Sequence, residues 1–264
     1  MQINNLMEYQ TVLAPVPHQS RSKNYAHLPT KDIVNWMEGY GMHPVSIQEG
    51  RTRKAHKKGF QKHIVRFRHE RDTGKDNLGV AIPEIILRNA HDGTSGIMLW
   101  AGIFRGVCTN GLTVCDASFE KISIPHRGKY IKNQVIDAAF TVVQFAERAL
   151  EGVENWSKMQ MPYAHQLEFA RKALELRFED PEKSPVVAGD LLQVRRYEDK
   201  GEDLWSIFNR VQENITRGGI VGDNRKDQHG RTQYRTLRGI SGAQRQVDLN
   251  GDLWRIADQY ARLQ

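Results

Sequence analysis

The stretch Phe60–His69 reads Phe-Gln-Lys-His-Ile-Val-Arg-Phe-Arg-His, and its alternation predicts a β-strand. Val65 and Phe67 fall on the apolar side of this strand, while Ile64 interrupts the opposite side. That opposite side carries the cations Lys62, Arg66 and Arg68. A strand of this kind buries its apolar face and displays a charge at every second residue. We therefore expect a sheet whose outer face is a platform for phosphate groups.

The residues before this strand are also rich in Lys and Arg. Arg51–Gly59 has almost no apolar side chains, which predicts a loop or the tip of a hairpin. The net charge is +8 over Arg51–Arg71 and +5 over Arg217–Arg245, whereas the rest of the chain sums to −6 and the whole chain to +7. Concentrated positive charge attracts a polyanion because binding releases condensed counterions. For either segment alone, a solvated surface remains an alternative.

Further helices and strands are predicted on both sides of this segment. A helix begins after Thr30, the expected N-cap, and Gly39 and Gly41 mark its end. A strand follows at His43–Gln48. Beyond the basic strand, Pro83–Asn89 predicts another strand.

The segment Ile97–Cys108 fits two structures. Its length suits a buried strand with a hairpin turn at Asn110-Gly111. The helical spacing of its large apolar residues nevertheless favours a helix. Those residues are Trp100, Ile103, Phe104 and Val107. Strands are predicted again at Leu112–Cys115 and Ser118–Ile124.

The carboxyl-terminal half is predicted to be helical. Apolar stripes run from Asn133 onward, over Ala164–Phe178, over Leu204–Ile215 and around Leu253–Ala261. Gly218-Gly219 stops the third of these helices. The Gly-rich segment after it lacks apolar periodicity and is expected to be a long exposed loop.

This order of elements predicts an α+β fold. We expect a small antiparallel sheet with a basic hairpin, packed on long helices and followed by a mostly helical carboxyl-terminal part. The expected regions are an extended arm at 1–27, an α+β core at 28–158 and a helical region at 159–264 that holds the Gly-rich loop 217–246. No apolar run is long enough for a membrane helix, no secretory signal is visible, and two cysteines are too few for a disulfide framework. The expected compartment is the cytoplasm.

The two basic segments supply the candidate nucleic-acid contacts. The guanidinium group of Arg matches phosphate oxygens, Gly allows close approach of the backbone, and Tyr234 can stack on an unpaired base. The loop matches neither a Walker A motif nor a dinucleotide fingerprint. The candidates from the first segment are Arg51, Arg53, Lys54, Lys57, Lys58, Lys62, Arg66 and Arg68. Those from the second are Arg217, Arg225, Lys226, Arg231, Tyr234, Arg235 and Arg238.

Metal and catalytic alternatives are weaker in the sequence. A zinc site would have to collect His91, Asp92, Cys108, Cys115 and His126, whose spacing matches no zinc motif. The carboxylates that flank the predicted sheet are the only ones suited to a nuclease centre, and they are Glu84, Asp92 and Glu120. The histidines of the basic strand are expected to add pH-dependent positive charge, and they are His56, His63 and His69. We expect no catalytic residue, metal or cofactor.

Two longer motifs carry a resemblance to a known family. Pro83-Glu-Ile-Ile-Leu-Arg-Asn-Ala-His-Asp-Gly-Thr-Ser-Gly96, continued by Ala101–Leu112, resembles the hallmark of domain-of-unknown-function family 932, which is carried by phages and plasmids. Ile124-Pro-His-Arg-Gly128 and the Gly-rich loop leading to Leu253-Trp254 are similar to it as well. The resemblance covers Leu28–Gln264. It implies a mobile element in a bacterial host and supplies no catalytic residues.

The order of elements is also similar to that of phage single-strand annealing proteins of the Redβ and Erf kind, which hold single-stranded DNA along a basic groove. The sequence therefore predicts a non-enzymatic phage or plasmid protein that binds DNA, in single-stranded form, and promotes strand annealing in recombination. A homo-oligomeric ring or filament is expected, without membrane contact. Two alternatives remain open: a counter-defence or regulatory protein that binds a host protein, and a metal-dependent nuclease.

Overall fold

A computed structural model describes residues 8–72, 81–105, 121–226, 229–241 and 243–263 of the protein. Along these residues the α-helices are α1 (Gln10–Leu13), α2 (Thr30–Gly39), α3 (Ile131–Trp156), α4 (Tyr163–Arg177), α5 (Leu204–Arg217) and α6 (Ala243–Arg262). The β-strands are β1 (Met42–Glu49), β2 (His63–His69), β3 (Ala81–Asn89), β4 (Ile97–Arg105), β5 (Ile122–Ile124), β6 (Val221–Lys226) and β7 (Thr232–Thr236).

The described residues divide into two compact units. The first unit contains those up to Phe104 and those from Lys121 to Ala149, and the second contains Arg105 and those from Leu150 onward. A five-stranded antiparallel sheet in the order β1-β2-β3-β4-β5 lies in the first part of the chain, and helices dominate the carboxyl-terminal part. The predicted α+β fold is therefore confirmed.

The core of the first unit lies against one face of this sheet. Val65 and Phe67 of β2 are completely buried there, as their alternation predicts. Helices α2 and α3 contribute the apolar stripes that contain Ile33 and Val142. Val12 of α1, which lies within the segment expected to be an extended arm, is also buried in this cluster.

The prediction of a helix at Ile97–Cys108 is wrong, because β4 occupies Ile97–Arg105. Leu99 and Trp100, which point to opposite faces of this strand, are both almost fully buried. A strand that is apolar on both faces loses its alternation, and large residues then fall at helical spacing without forming a helix. The predicted strand Leu112–Cys115 lies outside the described residues, as do residues 106–108 and 118–120 of the segments considered above.

The second unit is organised around α5. Its first turn is capped by Asp203, which accepts a hydrogen bond from the N–H of Ser206 (2.9 Å), and it ends at Arg217 before Gly218, whose φ is +68°. Almost every residue of α5 is buried. Aromatic rings pack around it, and the ring centres of Trp156 and Trp254 are 4.2 Å apart. The predicted helix over Leu204–Ile215 and its glycine stop are confirmed.

The prediction of a long exposed loop after α5 is wrong. β6 and β7 form an antiparallel hairpin there, in which Val221 pairs with Thr236 and Lys226 with Thr232. Its strands are polar and short, so no apolar alternation marks them in the sequence. Among the helices of the described residues, none has both the length and the apolar character needed to cross a membrane.

Candidate nucleic-acid interface

The basic loop, residues 50–62, joins β1 to β2 and begins and ends at a main-chain hydrogen bond. The N–H of Gly50 donates to the carbonyl of Lys62 (2.7 Å), and within the loop the N–H of Phe60 donates to the carbonyl of Lys57 (3.0 Å). A short 3₁₀ turn covers Ala55–Lys57. The exposed cations of this loop are Arg51, Arg53, Lys54, Lys58 and Lys62.

Lys57 differs from the other cations of the basic loop. Its ammonium group donates to Oδ2 of Asp92 (3.1 Å), whose side chain is only 5% exposed. The other carboxylate oxygen of Asp92 accepts from the hydroxyl (2.6 Å) and the N–H (3.0 Å) of Thr94. Although burial raises the pKa of Asp92, these hydrogen bonds hold it below its ordinary value. Lys57 therefore ties the loop to the β3–β4 connection, and its charge is compensated.

Arg66 and Arg68 do not form the exposed platform that the alternation predicts. Both donate to the carboxylate of Glu84 on β3, at 2.6 Å from Arg66 Nε and 2.9 Å from Arg68 Nη2. The side chains of Arg68 and Glu84 are 4% and 2% exposed. Each guanidinium carbon also lies 4.8 Å from the centre of the Phe104 ring. This part of the positive charge is buried and paired, so it is not available to a phosphate backbone.

A buried polar cluster underlies the basic loop, and the family-like motifs supply much of it. The hydroxyl of Thr30 lies 2.7 Å from Nε2 of His63 and 3.3 Å from Nε2 of His91. Asn89 donates from Nδ2 to the same hydroxyl (2.9 Å), and its Oδ1 lies 2.9 Å from Nε2 of His126. Thr30 is therefore the first residue of α2, bound to histidines, and it is not the N-cap that we expected.

These histidines are neutral at physiological pH. Burial lowers the pKa of His63 to about 4 and that of His91 to about 3, and neighbouring histidines contribute to the shift at His91. Burial also lowers the pKa values of His27 and His126. The expectation that His63 adds positive charge is wrong, because the side chain is enclosed in the core. We call His27, His63, His91 and His126 the histidine cluster.

The candidates for metal binding and nuclease chemistry do not converge in the described part of the chain. Glu84 and Asp92 are engaged in the ion pairs above, on different partners. Cys108, Cys115 and Glu120 lie outside the described residues. Within those that are described, no three His, Cys, Asp or Glu side chains are placed to hold a metal ion.

In the second unit, close main-chain contacts fix the β6–β7 hairpin. The N–H of Gly219 donates to the carbonyl of Leu237 (2.7 Å), and the N–H of Leu237 donates to that of Ile220 (2.8 Å). A Cβ at Gly222 would come within 2.2 Å of the carbonyl oxygen of Pro185, so only glycine allows β6 to approach this segment. The hairpin is thereby held against Pro185 and Val186.

An open cleft of about 630 Å³, the hairpin cleft, lies beside this hairpin. It is lined by Arg177, Phe178, Lys183, Pro185, Arg235, Thr236, Leu237 and Arg238. Arg177 donates to the carbonyls of Ile215 and Arg238, and thus connects the end of α4 to the residues after β7. Burial, and then the nearby charge of Arg245, lower the pKa of Arg177. Among the described lining residues there is no carboxylate.

The candidates in the second basic segment have different surroundings. Arg235 and Arg238 line the cleft, whereas Arg217 donates to the buried carboxylate of Glu213 (2.9 Å). Tyr234 is 75% exposed, and it points to the opposite face of β7 from Arg235. Arg231 is exposed, and the side chains of Arg225 and Lys226 lie outside what the structure describes.

Sequence reasoning missed Arg177, Phe178 and Lys183. They lie at the end of α4 and just beyond it, among Glu179, Asp180 and Glu182, which cancel the local charge. The ammonium group of Lys183 lies 3.4 Å from the carboxylate of Asp180, an exposed pair. An Arg-Phe pair at the end of a predicted helix is the one signal that a sequence search could use, and it becomes meaningful only beside the hairpin.

The chain is similar to known proteins along most of its length. UPF0380 protein YfjQ of Escherichia coli (strain K12) is 37% identical over 249 residues, and UPF0380 protein YafZ of the same organism is 36% identical over 249 residues. Each alignment covers 94% of this chain and 86% of the relative. The family described as Domain of unknown function (DUF932) matches residues 17–254, which confirms the resemblance seen in the sequence. No solved structure gives a significant match.

Proposed function

We propose that the chain, which belongs to the DUF932 family of unknown function, binds single-stranded DNA in the hairpin cleft. One observation carries the proposal: four cationic side chains and an aromatic ring line a single open cleft, and no carboxylate is found among its described lining residues. The names of the family and of the relatives assign no activity.

The cations suit a phosphate backbone. Lys183, Arg235 and Arg238 line the cleft from separate positions along the chain, so a strand lying in it would meet charge from both sides. Burial lowers the pKa of Arg177, and the nearby charge of Arg245 lowers it further. Such a surface attracts a polyanion and releases its counterions, whatever the base sequence.

The aromatic ring favours a single strand. Phe178 is partly exposed in the cleft, and the guanidinium carbon of Arg177 lies 5.4 Å from its ring centre. Aromatic rings and guanidinium planes stack on unpaired bases, whereas the bases of a duplex are already stacked on each other. Arg177 is bound to main-chain carbonyls and thus positions both Phe178 and the residues after β7.

The proposal extends to strand annealing in DNA recombination. A cleft of about 630 Å³ covers only a few nucleotides, so a ring or filament of several chains would be needed to hold a longer strand. The order of elements, which is similar to that of phage annealing proteins, supports this extension and an origin in a phage or plasmid.

The test is the salt dependence of binding to a fluorescent oligothymidine, followed by anisotropy between about 50 and 300 mM KCl. The cleft variant carries Lys183→Gln, Arg235→Gln and Arg238→Gln. A matched control removes three exposed helix cations of the same unit by Arg171→Gln, Arg255→Gln and Arg262→Gln. Both variants lose the same net charge.

We expect the cleft variant to bind at least about tenfold more weakly than the control at low salt, with a salt slope reduced by about 2, because each phosphate contact to a single strand contributes about 0.7. A duplex competitor should displace the strand poorly. Equal affinity of the two variants, or binding that does not weaken with salt, would reject the proposal.

A further inference from the structure

The proposed role of the hairpin cleft leaves the cations of the basic loop without a function, because the loop belongs to the first unit and the cleft to the second. Arg51, Arg53, Lys54, Lys58 and Lys62 are exposed, and none of the five has a carboxylate partner within the part of the chain that the structure describes. Other exposed arginines are paired, such as Arg71 with Glu147 (2.6 Å). Unpaired charges on one short loop produce a local positive potential that pairs of opposite charge would cancel.

The loop is built to hold its shape. The hydrogen bond between Gly50 and Lys62 closes its base, and the ion pair between Lys57 and Asp92 fixes its middle to the β3–β4 connection. Nε2 of His18 lies 3.1 Å from the carbonyl of His56 and holds the 3₁₀ turn to the amino-terminal segment. A charge run that serves only for solubility needs no buried ion pair beneath it. Because the main chain of the loop is held in place, it loses little conformational entropy when the loop binds an anion.

The basic loop differs from the hairpin cleft in its chemistry. Its only phenyl ring, Phe60, packs edge-on against the ring of His18, with the centres 5.3 Å apart. The exposed side chains of the loop are otherwise polar or cationic, apart from Ala55. Such a surface binds phosphates, and its exposed side chains include no phenyl, phenol or indole ring on which a base could stack. A strand held there by its phosphates would keep its bases free to pair.

We propose that the basic loop is a second nucleic-acid site, which binds the phosphate backbone of another single strand, so that one chain holds two strands. This inference rests on the proposed function, since the first strand is the one in the hairpin cleft. Each surface is built within its own unit and has its own supports, so the two sites bind independently. Annealing requires two strands to be held, with the bases of at least one of them free to pair.

The test counts oligothymidine molecules bound per chain by native mass spectrometry, with annealing of complementary strands followed by fluorescence energy transfer. The loop variant carries Arg53→Gln, Lys54→Gln and Lys58→Gln, which are exposed and should leave the melting temperature unchanged. It is compared with the cleft variant and the helix control defined above. The wild type and the control are expected to bind two strands per chain, and each site variant one.

Annealing should fall at least about tenfold in either site variant, since it needs both strands. A loop variant that still binds two strands, or a wild type that binds one strand which only the cleft variant loses, would overturn this inference while leaving the cleft proposal intact. A cleft variant that binds as many strands as the wild type, together with a loop variant that loses one, would instead reject the proposed function and keep the loop site.

Discussion

On the basic loop of the first unit, the ion pair between Lys57 and Asp92 holds the loop in place, while its other cations face solvent. In the hairpin cleft of the second unit, Arg177 has the holding role, because it donates to the carbonyl of Arg238. The cleft places the phenyl ring of Phe178 beside its cations, whereas the phenyl ring of Phe60 in the basic loop packs against His18. Each region thus uses one cation for support, and the cleft adds a ring on which a base can stack.

The same comparison separates charges that look alike in the sequence. Lys62 and Arg66 lie four residues apart in one basic run, yet Lys62 is exposed and Arg66 is paired with Glu84. The difference is the partner strand: β3 places the carboxylate of Glu84 next to Arg66, and no carboxylate among the described residues pairs with Lys62. A cation that the fold buries against a carboxylate is not available to a polyanion.

The largest effect is expected from a substitution that breaks the ion pairs of β2. Glu84→Gln removes the carboxylate that two buried guanidinium groups share, and we expect the free energy of unfolding to fall by about 3–5 kcal/mol. Chemical denaturation measures it. The control Arg53→Gln lies on the exposed loop and should change stability by less than about 0.5 kcal/mol. If both variants were equally stable, the division into structural and binding cations would be wrong.

The second prediction concerns the histidine cluster beneath the basic loop. Because burial lowers the folded-state pKa values of His63 and His91 from 6.5 to about 4 and 3, the folded state binds fewer protons than the unfolded state below pH 6.5. The stabilisation is therefore complete above pH 6.5 and is lost as the pH falls toward those values. When the pH falls from about 7.5 to 5, the burial of these two histidines should lower the free energy of unfolding by about 4 kcal/mol.

Denaturant titrations at a series of pH values measure this loss. His63→Asn should flatten the dependence, whereas Arg53→Gln, on the exposed loop, should leave it unchanged. The pKa of Asp92 is lowered, so its ion pair with Lys57 persists through this range and does not confuse the result. A free energy of unfolding that stays constant down to pH 5 would contradict the burial of neutral histidines.

The smallest expected effect tests the stacking surface. Phe178→Ala should weaken binding of oligothymidine by about 1–3 kcal/mol, the usual contribution of one base stacked on one ring. Tyr234→Ala, which removes a more exposed ring from the other face of β7, should have less effect. Fluorescence anisotropy at constant salt measures both. A larger loss of affinity in Tyr234→Ala than in Phe178→Ala would indicate that the strand binds on the opposite face of the hairpin.

Much of the fold could be predicted from periodicity. The spacing over Leu204–Ile215 and the glycines after it define α5, and the alternation of Val65 and Phe67 defines the buried face of β2. Periodicity fails for β4, where both faces are buried, and for the polar β6–β7 hairpin, which has no apolar face to read. Both failures have the same cause: alternation appears only where one face of a strand is buried and the other is wet.

The candidate site was harder to predict. Charge density marks the exposed cations of the basic loop, but the burial of Arg68 depends on Glu84, which is distant in sequence and comes opposite it only through strand pairing. Phe178 and Lys183 join Arg235 only because the hairpin folds back beside the end of α4. Sequence patterns report local structure, whereas both of these outcomes depend on contacts between distant segments.

The central claim, that single-stranded DNA lies in the hairpin cleft, is tested most directly by photocrosslinking. An oligothymidine carrying 5-iodouracil is irradiated with the full chain, and the modified peptide is identified by mass spectrometry. We predict a crosslink at Phe178, which disappears in the cleft variant and persists in the helix control. Crosslinks only at other aromatic residues, or no salt-sensitive crosslink at all, would contradict the account.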